Sequence, residues 1–217
     1  MPCALLDRSV VFTSKDQGPD FLIEHGGKNI WIECIACEKG DGADRVPDLH
    51  YGVVQNVPSN EMLIRIASAL KAKNEKYKKY LVDGIVKDAD QFIIAVCRGD
   101  LGHVDAAMPL ILRAVFAIGH QTLTMPRDGS PSRSGWSTVP FIEKQNGSKV
   151  PMTFFLEKEH EGISAVIYSK DTVLNHPDVI GDDIVVVHNK LAKNHLSDGV
   201  LDSFKTYKCD VNGDIHL

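Results

Sequence analysis

The chain has 217 residues, with 24 Lys and Arg against 29 Asp and Glu, a net charge of −5 and 43% hydrophobic residues. That length suits one domain with a substantial buried core, and the composition is that of an ordinary globular protein. The weakly negative balance excludes a global basic field, so any contact with nucleic acid must come from a local patch.

Taken in chain order, residues 9–13 suggest a short strand. Residues 18–36 (GPDFLIEHGGKNIWIECIA) alternate apolar positions around a His-Gly-Gly-Lys centre, the mark of a hairpin with a two-residue turn. A connector rich in Gly, Asp and Pro fills 39–59. Met62, Leu63, Ile66, Leu70, Tyr77 and Leu81 then recur at helical spacing, with Ser59 or Asn60 available as the cap and Gly84 just beyond the end. Residues 92–97 (FIIAVC) have the unbroken apolar character of a central strand covered on both faces. A second helix is expected from Pro109, in its first turn, to about Gly119. Residues 121–151 are rich in Pro, Gly and Ser and form a loop too long to be a mere connector. Strands at 152–156, 163–169 and 184–188 close the chain. The pattern describes an α/β protein with helices packed on a mixed sheet. A single domain spans 1–217, with a core at about 9–118, the long loop at 121–151 and C-terminal strands within 152–217.

Two positions carry the chemistry. In a two-residue hairpin, paired residues have a constant sum, so His25 faces Lys28, Ile23 faces Ile30 and Asp20 faces Glu33. Directly opposed residues have Cβ atoms roughly 4.5–5.5 Å apart, where like charges repel. No cation stands beside this pair in the hairpin, and a hard divalent ion, Mg²⁺ or Mn²⁺, would relieve the repulsion. Acidic residues on the wet face of a hairpin need no ion, but here Trp31 and Ile35 share the face, so it is not simply wet. The second position is on the long helix. At about 100° per residue, Leu63, Ile66, Leu70, Tyr77 and Leu81 form one stripe and Lys73 falls in its middle, whereas Lys71, Lys78 and Lys79 fall on the wet side. A lysine there either snorkels to an edge or reaches an anion in the interior. A helix packed on the hairpin's sheet would aim Lys73 at Asp20 and Glu33.

The run Gly18-Pro19-Asp20, a spacer, and then Trp31-Ile32-Glu33 resembles the PD-(D/E)xK nuclease superfamily. The resemblance implies a restriction-endonuclease-like mixed sheet flanked by helices, with Asp20 and Glu33 as the acidic pair that holds Mg²⁺. The family's lysine lies two positions after the second acid, where this chain has Ile35. Some members draw that lysine from the following helix, which makes Lys73 the matching amine. An acidic residue on a helix before the hairpin is also common in the family, and only Asp7 and Asp16 are available for it.

On these terms the expected activity is metal-dependent hydrolysis of phosphodiester bonds, with Asp20, Glu33 and Lys73 catalytic. Arg65, Lys76, Lys79, Arg127, Arg133 and Trp136 are the candidates for contact with the nucleic-acid backbone and bases. The expected partner is nucleic acid, DNA first, with a homodimer allowed. A restriction-endonuclease-like module that has lost catalysis and binds nucleic acid or protein is the alternative that Ile35 favours. A small-molecule metal hydrolase on the same scaffold is a third.

Other signals carry less. Cys34 and Cys37 form a CxxC, but no second pair or nearby histidines complete a zinc site, so buried inert thiols are expected. His176, His188 and His195 gather toward the C-terminus, where a strand-end histidine is usually structural. There is no phosphate-cradling glycine loop, HExxH helix or GxSxG elbow. The five cysteines are odd in number and scattered, and the first residues have no basic-then-apolar signal pattern, which points to a reducing cytoplasm. The most apolar stretch, around 108–118, is interrupted by Pro109 and Arg113 and is too short to span a membrane.

Overall fold

A computed structural model describes residues 17–50, 52–103, 108–128, 131–170, 178–179, 181–209 and 215–216. The expected strand at 9–13, together with Asp7, Asp16 and His176, lies outside the described residues.

The hairpin forms as its sequence dictates. Gly26 and Gly27 take φ of 57° and 74°, the left-handed pair that a tight turn requires and that glycine adopts without strain. Strand β1 (Phe21–His25) therefore runs antiparallel to β2 (Lys28–Ala36), pairing Phe21 with Ile32, Ile23 with Ile30 and His25 with Lys28. Period-two alternation then divides β2 cleanly: Ile30 and Ile32 point to one face of the sheet, and Trp31, Glu33 and Ile35 to the other.

From β2 the chain crosses through the connector to helix α1 (Ser59–Val82) and returns as β3 (Gln91–Cys97), parallel to β2 with Glu33 opposite Ile94. The helix starts one residue earlier than a Ser59 cap implies. Pro58 is the N-cap, and no side chain caps the helix; Met62 N–H donates to the Pro58 carbonyl. At the other end Gly84 takes φ of 71°, while Asp83 and Ile85 N–H groups donate back to the Lys79 and Tyr80 carbonyls, closing the last turn.

β3 continues through helix α2 (Leu110–Phe116), for which Pro109 is the N-cap and Ala117 the left-handed end. Residues 121–151 are not an open loop. They contribute to two antiparallel ribbons, β4 (Ile118–Thr124) with β5 (Arg133–Thr138), and β6 (Phe141–Glu143) with β7 (Lys149–Pro151). Nor is 152–156 a strand: Phe154 and Phe155 lie in turns and are buried, and Phe155 N–H donates to the Val115 carbonyl. The sheet resumes with β8 (Ala165–Ser169), β9 (Ile184–His188), β10 (Lys205–Cys209) and β11 (Ile215–His216), in the spatial order β1-β2-β3-β8-β9-β10-β11. It is mixed: β3 and β8 run parallel, β8 and β9 antiparallel, and β9 and β10 parallel.

Both helices pack on the same face of this sheet, where Leu63, Ile66, Leu70, Tyr77 and Val115 meet Phe92, Ile94 and Val96. The opposite face, with Ile32, Ile93, Ala95 and Ile167, is covered by Leu196, Val200 and Leu201 from irregular chain. The helices therefore lie on one side of the sheet among the described residues, not on both. β3 is buried on both faces, which accounts for its unbroken apolar run.

Candidate functional site

Glu33 stands in the middle of β2 on the face that α1 covers, and its side chain is 1% exposed. A carboxylate this deep needs partners, and α1 supplies them. Lys73, Lys76 and Tyr80 follow helical spacing of three and four, so they share one flank of the helix. Lys73 Nζ donates to Glu33 Oε1 at 2.6 Å and Lys76 Nζ to the same oxygen at 2.7 Å. Tyr80 Oη lies 3.2 Å from Glu33 Oε2 and 3.0 Å from the Gly18 carbonyl oxygen. Lys73 is thus the interior lysine expected from the stripe, reaching an anion instead of snorkelling away.

Asp20 enters from the loop before β1. Its Oδ2 accepts the Cys34 N–H at 2.7 Å, tying the Gly18-Pro19-Asp20 loop to the residue next to Glu33. Trp31, two positions before Glu33, is held by its indole N–H to Asp90 Oδ2 at 2.9 Å. Ile35, two positions after, packs against the core beneath the helices. The position where the resemblance would put a lysine is therefore apolar in contact as well as in sequence, and both ammoniums come from α1.

The helix, not the hairpin, supplies cations to Glu33, and it supplies one more than expected. Glu33 is accompanied by two ammoniums, Lys73 and Lys76, so repulsion between the carboxylates does not by itself call for a metal. Lys76, expected at the nucleic-acid backbone, instead ends its ammonium on Glu33, although its side chain is 47% exposed. Burial alone would lower the Lys76 pKa, but its contacts with Glu33 and Tyr80 outweigh this and raise it. Tyr80 was missed. Its place one turn beyond Lys76 on the same flank as Lys73 is the signal that could have found it.

The remaining candidates divide. Arg65 Nη2 donates to the Asp44 carbonyl at 2.8 Å, so this guanidinium fastens the connector to α1. Lys79 is exposed on α1. Arg127, Arg133 and Trp136 belong to the β4–β5 ribbon and its turn, all three exposed. They form a group separate from Glu33.

Burial pushes the Cys34 thiol up to about 12, with Asp20 and Glu33 adding to the effect, and burial likewise pushes Cys37 to about 12. His188, half-buried at the end of β9, is held below its ordinary value chiefly by burial; His195 is exposed.

A second polar feature was not anticipated. On the opposite flank of α1, Lys71 and Glu75 line a cavity of about 330 Å³ with Lys144, Lys149 and Phe154. At its rim, donor atoms of Glu157, Glu159 and His160 lie within 4.8 Å of one another. Glu159 also takes Lys78 Nζ at 2.9 Å, and the His160 ring stacks on Phe154 at 3.9 Å. Glu157 and Glu159 are exposed, Glu157 in irregular chain and Glu159 in the single 3-10 turn Lys158–His160, which is too short to leave a periodic signal in the sequence.

No helix among the described residues is long and apolar enough to cross a membrane. No protein-family model, characterised protein or solved structure matches the chain, so the chemistry of the site has to be argued from its own residues.

Proposed function

We propose that this chain is a metal-dependent nuclease of the PD-(D/E)xK kind, on a restriction-endonuclease-like fold, that hydrolyses phosphodiester bonds of DNA. The observation carrying this reading is the pair of buried Glu33 and part-buried Lys73 at 2.6 Å, brought together by the hairpin, the following helix and the parallel strand β3. An acidic strand residue and an amine are juxtaposed here although Ile35 occupies the adjacent motif position.

The donor set fits a hard divalent cation. Asp20 and Glu33 offer carboxylate oxygens, and the Gly18 carbonyl meets the same Tyr80 hydroxyl that reaches Glu33. When bound, Mg²⁺ or Mn²⁺ would polarise a phosphoryl oxygen and lower the pKa of a coordinated water. Lys73 would then stabilise negative charge growing on the attacked phosphate, from a position already fixed by packing. Tyr80 and the Cys34 N–H hold the two carboxylates in place, and Trp31 and Ile35 keep water from their base.

The second reading is a catalytically silent module that binds nucleic acid or protein. It draws on Glu33 Oε1, which already receives two ammoniums. One assay separates the two. Plasmid and single-stranded DNA are incubated with Mg²⁺ or Mn²⁺, and the nuclease reading expects cleavage that falls at least about 100-fold in Asp20→Ala, Glu33→Ala and Lys73→Met. Absence of cleavage with either metal, or cleavage that survives these substitutions, leaves the silent module.

A further inference from the structure

We infer that Lys76 is an exchangeable counter-ion of Glu33: it holds the carboxylate while no divalent cation is bound and withdraws to solvent when one enters. The inference rests on the metal-dependent reading above and adds a regulated step to the same site.

The first observation is saturation. A carboxylate oxygen has two lone-pair directions, and Glu33 Oε1 meets two ammoniums, at 2.6 and 2.7 Å. Tyr80 approaches the other oxygen. A divalent cation cannot share Oε1 with both lysines, and two ammoniums beside it would oppose its charge. With Lys76 withdrawn, Asp20, Glu33 and Lys73 together carry one net negative charge, which suits a dication.

The second observation says which lysine leaves. The Lys73 side chain is 14% exposed and that of Lys76 47%. Releasing Lys73 would strand an ammonium under the helix, where burial without a partner is costly. Releasing Lys76 returns an ammonium to water by rotation of a flexible four-carbon stem. The Tyr80 ring, whose centroid is 5.5 Å from Lys76 Nζ, offers a face along which the departing charge remains favourable.

The third is where Lys76 goes. Lys79, three residues on, is exposed on the same helix, so the freed ammonium joins it at the surface. Metal entry thereby turns an internal counter-ion into a contact for a phosphate backbone. Metal and polyanion then assist each other's binding, because each favours the state with Lys76 outside.

Mn²⁺ binding to the full chain without substrate, followed by calorimetry and by the electron paramagnetic resonance of free Mn²⁺, tests this independently of cleavage. Lys76→Met should bind Mn²⁺ roughly two- to fivefold more tightly than the parent, the size expected for removing a half-exposed competing charge. Lys76→Arg, which keeps a cation at the position, should bind no more tightly than the parent. Lys76→Met binding that is equal or weaker, with Asp20→Asn still losing Mn²⁺, overturns the exchange and leaves the metal site standing. Absence of Mn²⁺ binding in the parent and in Lys76→Met overturns both. A Lys76→Met chain that fails to fold also contradicts the inference, since a counter-ion that leaves cannot be one the fold depends on.

Discussion

Lys73 Nζ and Glu33 Oε1 are 2.6 Å apart across 40 residues of chain, because the crossover from β2 to β3 lays α1 over the face of β2 that carries Glu33. The pair is unequal to its neighbour Lys76–Glu33, which shares the oxygen but reaches it from solvent. Glu33→Gln leaves the largely covered Lys73 ammonium without an anion and should cost about 3 kcal/mol, near the low end for breaking a buried pair from one side. Lys76→Met should cost under about 1 kcal/mol, as for an exposed pair. Urea denaturation of the two variants measures the difference, and equal losses would show that burial does not rank these contacts.

The β4–β5 ribbon gives a separate prediction about partners. Trp136 is 47% exposed while Trp31 is 9%, so one indole reports on the surface and the other does not. Titration with single-stranded DNA should quench the Trp136 emission and leave that of Trp31, because an exposed ring is available for stacking on a base. Arg127→Ala and Arg133→Ala should each lower the salt dependence of binding by roughly 0.7 in log–log slope, the loss of one phosphate contact on a single strand. Unchanged slopes and an unquenched Trp136 would remove the ribbon from the nucleic-acid surface.

The CxxC is expected to be silent. A thiol with a pKa of about 12, as for Cys34 and Cys37, carries about a thousandth of the thiolate at pH 8 that one at 9.0 carries. Iodoacetamide labelling of the native chain, read by peptide mass, should leave both unmodified after an exposed model thiol has reacted completely. Rapid labelling of either would reopen redox or metal chemistry at this pair.

What the sequence made legible follows from periodicity. The Gly26-Gly27 turn fixed the register of β1 on β2, and that register decided which face Glu33 would use. The helical stripe placed Lys73 under α1, where its carboxylate partner stands. Lys76 was harder to place because its Cα sits toward the wet side of the helix, and only a long flexible stem brings its charge inward. The ribbons between 118 and 151 look like loop in the sequence because exposed, Thr- and Ser-rich strands bury neither face and so show no alternation. At 152–156 the apolar run has the look of a strand. Phe154 and Phe155 are buried, but as turn residues against Val115 and Phe116, and a short apolar run cannot by itself distinguish the two.

Two histidines contribute to the pH dependence of stability just below neutrality. Burial holds His160 and His188 below their usual value of 6.5, so the folded chain takes up protons there less readily than the unfolded one. The stability gained by keeping these rings neutral is therefore fully present above about pH 6.5. As the pH falls below that value the unfolded chain binds more protons, and stability declines until the folded pKa values are passed. The melting temperature should accordingly be flat from pH 8 to 7 and decrease below 6.5. His188→Asn and His160→Asn should each make the decrease shallower between pH 6.5 and 5, where titration of most carboxylates contributes least. Parallel curves for parent and variants would mean that neither ring is protected from protonation by the fold.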